Sequence, residues 1–290
     1  MNILWSTTFR PFLKSEKNND IQLRFIRNIK NLKENVELSI TQFDDQNVIQ
    51  TLDKFKVKYN YNNYSKKKLP RKAKYSNKIV LSNSIKFYLK KFNSYKYFVY
   101  STVDITFSKK IFSHIENNYS GKKDTLYIVF PNTLIVNGKS NNVPIPYFGI
   151  DIFIFNLSKS KLELFNKLLE SWEQYDWGII DNFFIAVADH LKLEIVNLYK
   201  DFEIVKYENP FNDFKESREW QIRSWKNNSK FFFYFLKKNK ISLFYYYGSY
   251  YFIAFKIFNF KDLSFKLLLS YFLLVVYLIK NLLKKILFIK

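Results

Sequence analysis

The chain is predicted to be an α/β protein, with a mostly parallel sheet flanked by helices and an aromatic, basic helical tail at its C-terminal end. Three observations lead there. Strand-like and helix-like patterns alternate from residue 2 to residue 61, the order that builds a parallel sheet. An apolar strand, Tyr97–Phe107, runs through small polar residues into the acid Asp104, as a buried strand does where its carboxyl end opens onto a ligand site. The last residues, Phe265–Lys290, carry an uncharged apolar stretch between lysines, the pattern of a basic amphipathic helix.

Taken in order, residues 2–10 read as a first strand that leads into Ser6, Thr7 and Thr8. No charged region and long apolar run open it, so no signal peptide is expected. From Asp20, a candidate N-cap, residues Ile21, Phe25, Ile29 and Leu32 fall at helical spacing, and the helix is expected to end near Asn35. Val36–Phe43 alternates as a strand and ends in Asp44 and Asp45; a helix over Asn47–Phe55 and a strand over Lys56–Tyr61 follow. Asn62–Tyr75 is a lysine-rich loop, read as solvated surface. Helices are predicted over Asn77–Phe92 and over residues 108–120, on either side of the Tyr97–Phe107 strand. Thr125–Phe130 and Thr133–Val136 read as strands around a Pro131-Asn132 turn.

Pro144 and Pro146 bar a helix at the start of Val143–Asn156, which is predicted as a strand with Gly149 where backbone or ligand comes close. Lys159–Tyr175 is an amphipathic helix with Leu162, Leu164, Phe165, Leu168 and Leu169 on its apolar side. Residues 176–182 open a helix that runs to Leu191, and residues 193–199 form a final strand. The division that follows is an α/β domain over 1–200, an aromatic and lysine-rich extension over 201–261, and a basic amphipathic, membrane-associating helix over 262–290. The apolar core of that helix, Leu267–Ile279, is 13 residues long. Such a helix reaches roughly 20 Å, short of the ~30 Å hydrocarbon core, so it is expected to lie in the interface rather than span it; a buried core helix is the alternative.

Composition narrows the chemistry. There are no cysteines, which excludes a disulfide framework, a thiolate zinc site and a cysteine nucleophile. The formal net charge is +22, but only six of the cationic residues are arginine (Arg10, Arg24, Arg27, Arg71, Arg218, Arg223). A dedicated nucleic-acid binder would be expected to accumulate arginine, the better fork for bases and phosphates, so nucleic acid is an unlikely partner; lysine still attracts anionic lipid and nucleotide phosphate. No glycine precedes Gly121, which removes both the P-loop and the dinucleotide kind of Gly-rich phosphate cradle. No Gly-x-Ser-x-Gly and no His-x-x-x-His is present. His114 and His190 read as surface or core histidines rather than metal ligands.

Four short motifs, in order, resemble those of GT-A type nucleotide-sugar glycosyltransferases: Trp5–Pro11, with Thr7 and Thr8 where that fold receives the nucleoside; Asp44 or Asp45, like the acid that contacts the base; Lys78–Asn83, like the family's Lys-x-x-x-x-Asn beside the diphosphate; and Thr102-Val103-Asp104, where the family carries Asp-x-Asp. The resemblance covers roughly residues 2–200. It implies a nucleotide-sugar donor, with Thr7, Thr8 and Asp45 on the nucleoside, Asn83 and Asp104 on the diphosphate, and a Thr102 hydroxyl left to hydrogen-bond a ribose or water. It also implies a divalent cation, Mn²⁺ or Mg²⁺, ligated by Asp104. Thr102 departs from the pattern by removing one carboxylate, which leaves open both a metal held by Asp104 alone and stabilisation of the diphosphate by lysine or arginine. For the acceptor hydroxyl the resemblance implies a carboxylate base: Asp181 first and Asp176 second, each of which also reads as a helix N-cap.

The expected activity is therefore transfer of a sugar to a glycan or lipid-linked acceptor in cell-surface polysaccharide or lipopolysaccharide assembly. The expected location is cytoplasmic, peripheral to the inner membrane face, where the basic tail meets an anionic surface. The missing first acid motivates the alternative, a catalytically weakened homologue that binds glycan or scaffolds an assembly.

Overall fold

In the computed structural model, the described residues are 1–9, 12, 16–42, 45–63, 94–136, 139–142, 150–170, 180–198, 201–207, 231–243, 245 and 276. Burial on two faces explains the apolar runs at its centre. Strand β1 (Asn2–Thr7) and strand β4 (Tyr97–Ser101) lie side by side and parallel. Ile3, Trp5, Tyr97 and Val99 enter one core, while Leu4, Phe98 and Tyr100 enter the other. A strand covered on both sides has no solvent face to mark with polar residues, so its sequence reads as continuous hydrophobe.

The remaining elements, in chain order, are α1 (Glu16–Lys30), β2 (Asn35–Gln42), α2 (Gln46–Phe55), β3 (Tyr59–Asn63), β5 (Ile105–Phe107), α3 (Ile111–Tyr119), β6 (Thr125–Val129), β7 (Thr133–Val136), β8 (Lys139–Asn142), β9 (Ile152–Asn156), α4 (Lys159–Glu170), α5 (Ile180–His190), β10 (Glu194–Asn197) and β11 (Ile204–Tyr207). Seven strands form the main sheet in the order β10-β6-β9-β4-β1-β2-β3. Every neighbouring pair is parallel except those made by β9, which runs antiparallel to β4 and β6. This is the expected α/β architecture, a mostly parallel sheet with helices on its faces. A second sheet, β5-β11-β7-β8, is formed by strands that follow β4, β6 and β10 in the chain.

The structure corrects several sequence-based boundaries. The single strand expected over Tyr97–Phe107 is two: β4 belongs to the main sheet and β5 to the small one, and residues 102–104 carry the chain between them. Asp104 thus lies in a link between sheets, not on a strand. Helix α1 begins at Glu16, so Asp20 is inside it rather than its N-cap, and its carboxylate takes Arg24 Nε at 2.9 Å, one turn on. β10 is not the last strand, because β11 follows it, and β8 forms an unexpected hairpin with β7.

The core also continues beyond residue 200. Residues 231–238 are helical, and Phe232, Phe235, Leu236, Ile241 and Tyr245 are buried in the same cluster as α5. Of the loop expected over Asn62–Tyr75, Asn62 and Asn63 instead belong to β3, and the rest lies outside the described residues, as do the helix expected at 77–92, Gly149 and, apart from Val276, the tail from 262. Among those described, no helix is long and apolar enough to cross a membrane.

Candidate active site

The link Thr102–Asp104 is held from both sides. On the β1 side, the Trp5 indole donates to Ser101 Oγ at 2.8 Å, and Thr7 Oγ1 donates to the Ser101 carbonyl at 2.9 Å. Trp5 is itself fixed by stacking on Phe107 at 4.7 Å and by edge contacts with Phe25 and Phe112. On the far side, Asn28 of α1 grips β5 with both amide atoms: its Nδ2 donates to Phe107 O at 3.0 Å, and its Oδ1 accepts from Phe107 N at 2.7 Å. A half-buried primary amide that satisfies a strand's carbonyl and N–H in this way leaves β5 little freedom to shift.

β11 then lies antiparallel to β5, with Lys206 opposite Ile105 and the Tyr207 N–H donating to the Asp104 carbonyl at 2.8 Å. Asn132 locks β11 in place. It donates from its backbone to Ile204 O at 3.0 Å, accepts Ile204 N–H at 3.0 Å, and donates from Nδ2 to Phe202 O at 2.6 Å.

Into this frame come three carboxylates and one ammonium. Asp151, just ahead of β9, is buried, with its N–H on Val129 O at 3.2 Å. Its Oδ1 pairs with the Lys206 ammonium, whose side chain is only 17% exposed. Burial pushes the Asp151 carboxyl up to about 6; Lys206 opposes the rise and Asp104 adds to it. The Thr102 hydroxyl, shielded from solvent, lies beside this carboxylate and favours its charged form, without reaching hydrogen-bonding geometry.

Asp181 stands in the first turn of α5 and accepts the Ile150 N–H at 3.2 Å on Oδ2. Burial pushes its carboxyl up to about 7. The Ile150 N–H and Lys206 hold it down, whereas Asp151 pushes it further up. Asp104 is half-buried, with Oδ1 shielded from solvent. Tyr100 completes the group: burial, then the charges of Asp181 and Asp104, raise its phenol well above the ordinary value, so it stays protonated.

Of the residues singled out from the sequence, Thr102, Asp104 and Asp181 converge here, and Thr7 supports them through Ser101. Thr8 is half-buried just past the end of β1. Asp45, at the end of β2 beside β1, caps α2: its Oδ1 accepts from Asn47 N at 3.0 Å and Val48 N at 3.4 Å, and its Oδ2 accepts from Phe12 N at 3.4 Å. Asn83, Asp44 and Asp176 lie outside the described residues. His114 sits elsewhere, 3.6 Å from Asp201 and edge-on to Phe202, and His190 is exposed at the end of α5.

Asp151 and Lys206 were not among the residues chosen from sequence. Asp151 lies within Val143–Asn156, which the sequence marks only as a strand around Gly149. Lys206 had only the weak alternation of Ile204-Val205-Lys206-Tyr207 to reveal it.

Scans against protein-family models and curated proteins return no match. Solved structures do match. GalNAc-T7, determined with UDP, GalNAc and Mn²⁺, superposes over 88% of this chain and 58% of its own, with a TM-score of 0.50 and 9% identity. Glucosyl-3-phosphoglycerate synthase from Mycobacterium tuberculosis matches over 78% of this chain and 79% of its own, with a TM-score of 0.44 and 11% identity. A cytidylyltransferase from Leptospira borgpetersenii matches over 79% and 95%, with a TM-score of 0.43 and 14% identity. At this identity the likeness is one of fold, and the chain has the α/β fold that nucleotide-sugar transferases use.

Proposed function

We propose that the protein is a glycosyltransferase that moves a sugar from a nucleotide-sugar donor to a hydroxyl of a glycan or lipid-linked acceptor. The observation that carries this reading is the meeting of Asp104, Asp151, Asp181 and Lys206 where the central strands end and the two sheets join. That is where open α/β sheets bind ligands, and buried acids with raised pKa values suit proton transfer near neutral pH.

In this reading Thr7, Thr8 and Asp45 form the nucleoside side, Asn83 and Asp104 the diphosphate side, and the Thr102 hydroxyl hydrogen-bonds a ribose or water. Asp181 takes the proton of the acceptor hydroxyl, with Asp176 as its alternative. The acceptor oxygen forms a bond to the sugar's C1 as the bond from C1 to the β-phosphate oxygen breaks. The bonding electron pair leaves with the nucleoside diphosphate, and the hydroxyl proton ends on Asp181.

The resemblance also brings a divalent cation, and GalNAc-T7 carries Mn²⁺ in its structure. The donor set here fits such an ion poorly. Thr102 offers a neutral hydroxyl where a second carboxylate would stand, and the nearby Asp151 already holds an ammonium. Among the described residues no three acids or histidines are placed to share a metal.

A thermal-shift screen of nucleotide sugars tests the assignment. One donor class should raise the melting temperature, since a ligand at 100 times its dissociation constant adds about 2.7 kcal/mol. The shift should disappear in Asp104→Ala. If no nucleotide sugar stabilises the protein, with or without Mn²⁺, the assignment fails.

A further inference from the structure

We infer that Lys206 supplies the positive charge that neutralises the donor's diphosphate, and that the protein binds and cleaves its donor without a divalent cation. This rests on the transferase reading and deepens it.

Three observations converge on the lysine. First, it is built in. Asn132 fixes the strand that carries it, the backbone of the next residue bonds to Asp104, and Asp151 holds its head group in a site where both side chains are mostly removed from water. Surface lysines, of which this chain has many, are not held in this way, because freezing a long side chain costs conformational entropy that a solvated ion pair barely repays.

Second, its charge is felt across the cluster, since Lys206 acts on Asp181 as well as on its partner Asp151. A divalent ion placed on Asp104 would share this small, poorly solvated volume with an ammonium, and like charges there repel more strongly than in water.

Third, the acid that would help to hold such an ion is a threonine. Replacing a carboxylate by a hydroxyl removes one negative charge from the site, as expected where a single ammonium, rather than a dication, does the neutralising.

The chemistry is compatible. An ammonium is a compact charge with three donors, well suited to phosphate oxygens. Before the donor arrives, Asp151 keeps the ammonium in place; the diphosphate, with more charge and more oxygens, then competes for it. As the bond between the sugar's C1 and the β-phosphate oxygen breaks, the electron pair collects on that oxygen, and Lys206 is the cation beside it.

The test measures binding of UDP, CDP, GDP and TDP by titration calorimetry, each with EDTA and each with MnCl₂. One of them should bind in EDTA with an affinity within about threefold of that in MnCl₂. Lys206→Met should weaken the EDTA value by about 10- to 100-fold, the scale of a lost charge-assisted hydrogen bond, and Lys206→Arg should weaken it less. Because Lys206→Met strands the buried Asp151 carboxylate, the paired variant Asp151→Asn/Lys206→Met checks that lost binding is not lost folding: it should show a cooperative melt and still bind weakly. Asp151→Asn alone should bind in EDTA at least as well as the wild type. Binding that appears only with MnCl₂, or Lys206→Met binding like the wild type, overturns the inference and leaves the transferase reading intact. If none of the four binds under either condition, both fail.

Discussion

At the scale of single residues, the site turns on how far burial shifts its acids. Asp181 is raised to about 7 chiefly because its charged form loses water, and the helix N-terminus and the Ile150 N–H recover only part of that loss. A base must be ionised to accept a proton, so transfer should rise with pH through about 7 and level off above it. Asp181→Asn should remove that limb and lower kcat by about 10²- to 10⁴-fold, while donor binding changes little. A pH profile of kcat on the two proteins checks this, and an unchanged profile would move the base elsewhere. The same shift bears on stability with the opposite sign. For a carboxyl whose folded pKa exceeds its unfolded value, the stabilisation is complete below the unfolded pKa, about 4. It is lost as pH rises through the folded value. The melting temperature of the wild type should therefore fall between about pH 4 and pH 8 by more than that of Asp181→Asn.

At the scale of elements, two asparagines do what the apolar core cannot. Asn28 fixes β5 and Asn132 fixes β11, and between them they set where Asp104 and Lys206 stand. Each makes several hydrogen bonds to backbone groups that would otherwise lie in the interior without partners. Asn132→Ala should thus cost about 1–3 kcal/mol, and it should weaken nucleoside diphosphate binding although residue 132 touches no donor; denaturant melts and calorimetry on one preparation read both effects.

This scale also shows what could be read from the sequence. β1, β2, β4 and α2 were legible because two-sided burial and a 3.6-residue period write themselves into apolar spacing. The break between β4 and β5 was not, because Val99 and Tyr100 before it, Val103 within it, and Ile105 and Phe107 after it are all buried, and apolar continuity does not tell one sheet from two. Asp104 and Asp181 stood out as acids beside apolar runs. Lys206 did not, since one lysine among many is distinguished only by the strand that buries it, and four-residue β11 is too short to carry a period.

For the whole molecule, the question is where the folded unit ends. A boundary at residue 200 would remove β11 together with Phe232, Phe235, Leu236, Ile241 and Tyr245, all buried against the α5 side of the sheet. Asn182 and Asp189 of α5 both bond to Tyr245, Asn182 through its Nδ2 to the tyrosine carbonyl at 3.1 Å. At about 1.5–3 kcal/mol for each large apolar side chain, that loss rivals the 5–15 kcal/mol that hold a typical domain together. A chain stopped after residue 200 should be insoluble or molten, whereas one stopped after residue 261 keeps these groups and should melt cooperatively. The shorter tail deletion also tests the membrane contact expected from the tail's sequence. Residues 262–290 add lysines around the apolar Leu267–Ile279 stretch, and the interfacial helix expected there from sequence would draw on both apolar burial and attraction to anionic lipid. In co-sedimentation, the full chain should bind phosphatidylserine-containing vesicles more tightly than neutral ones and lose the difference as salt is raised. The chain ending at 261 should bind neither kind and keep its nucleotide affinity. Equal vesicle binding by the two chains would place the membrane contact outside the tail, on the lysine-rich surface of the folded domain.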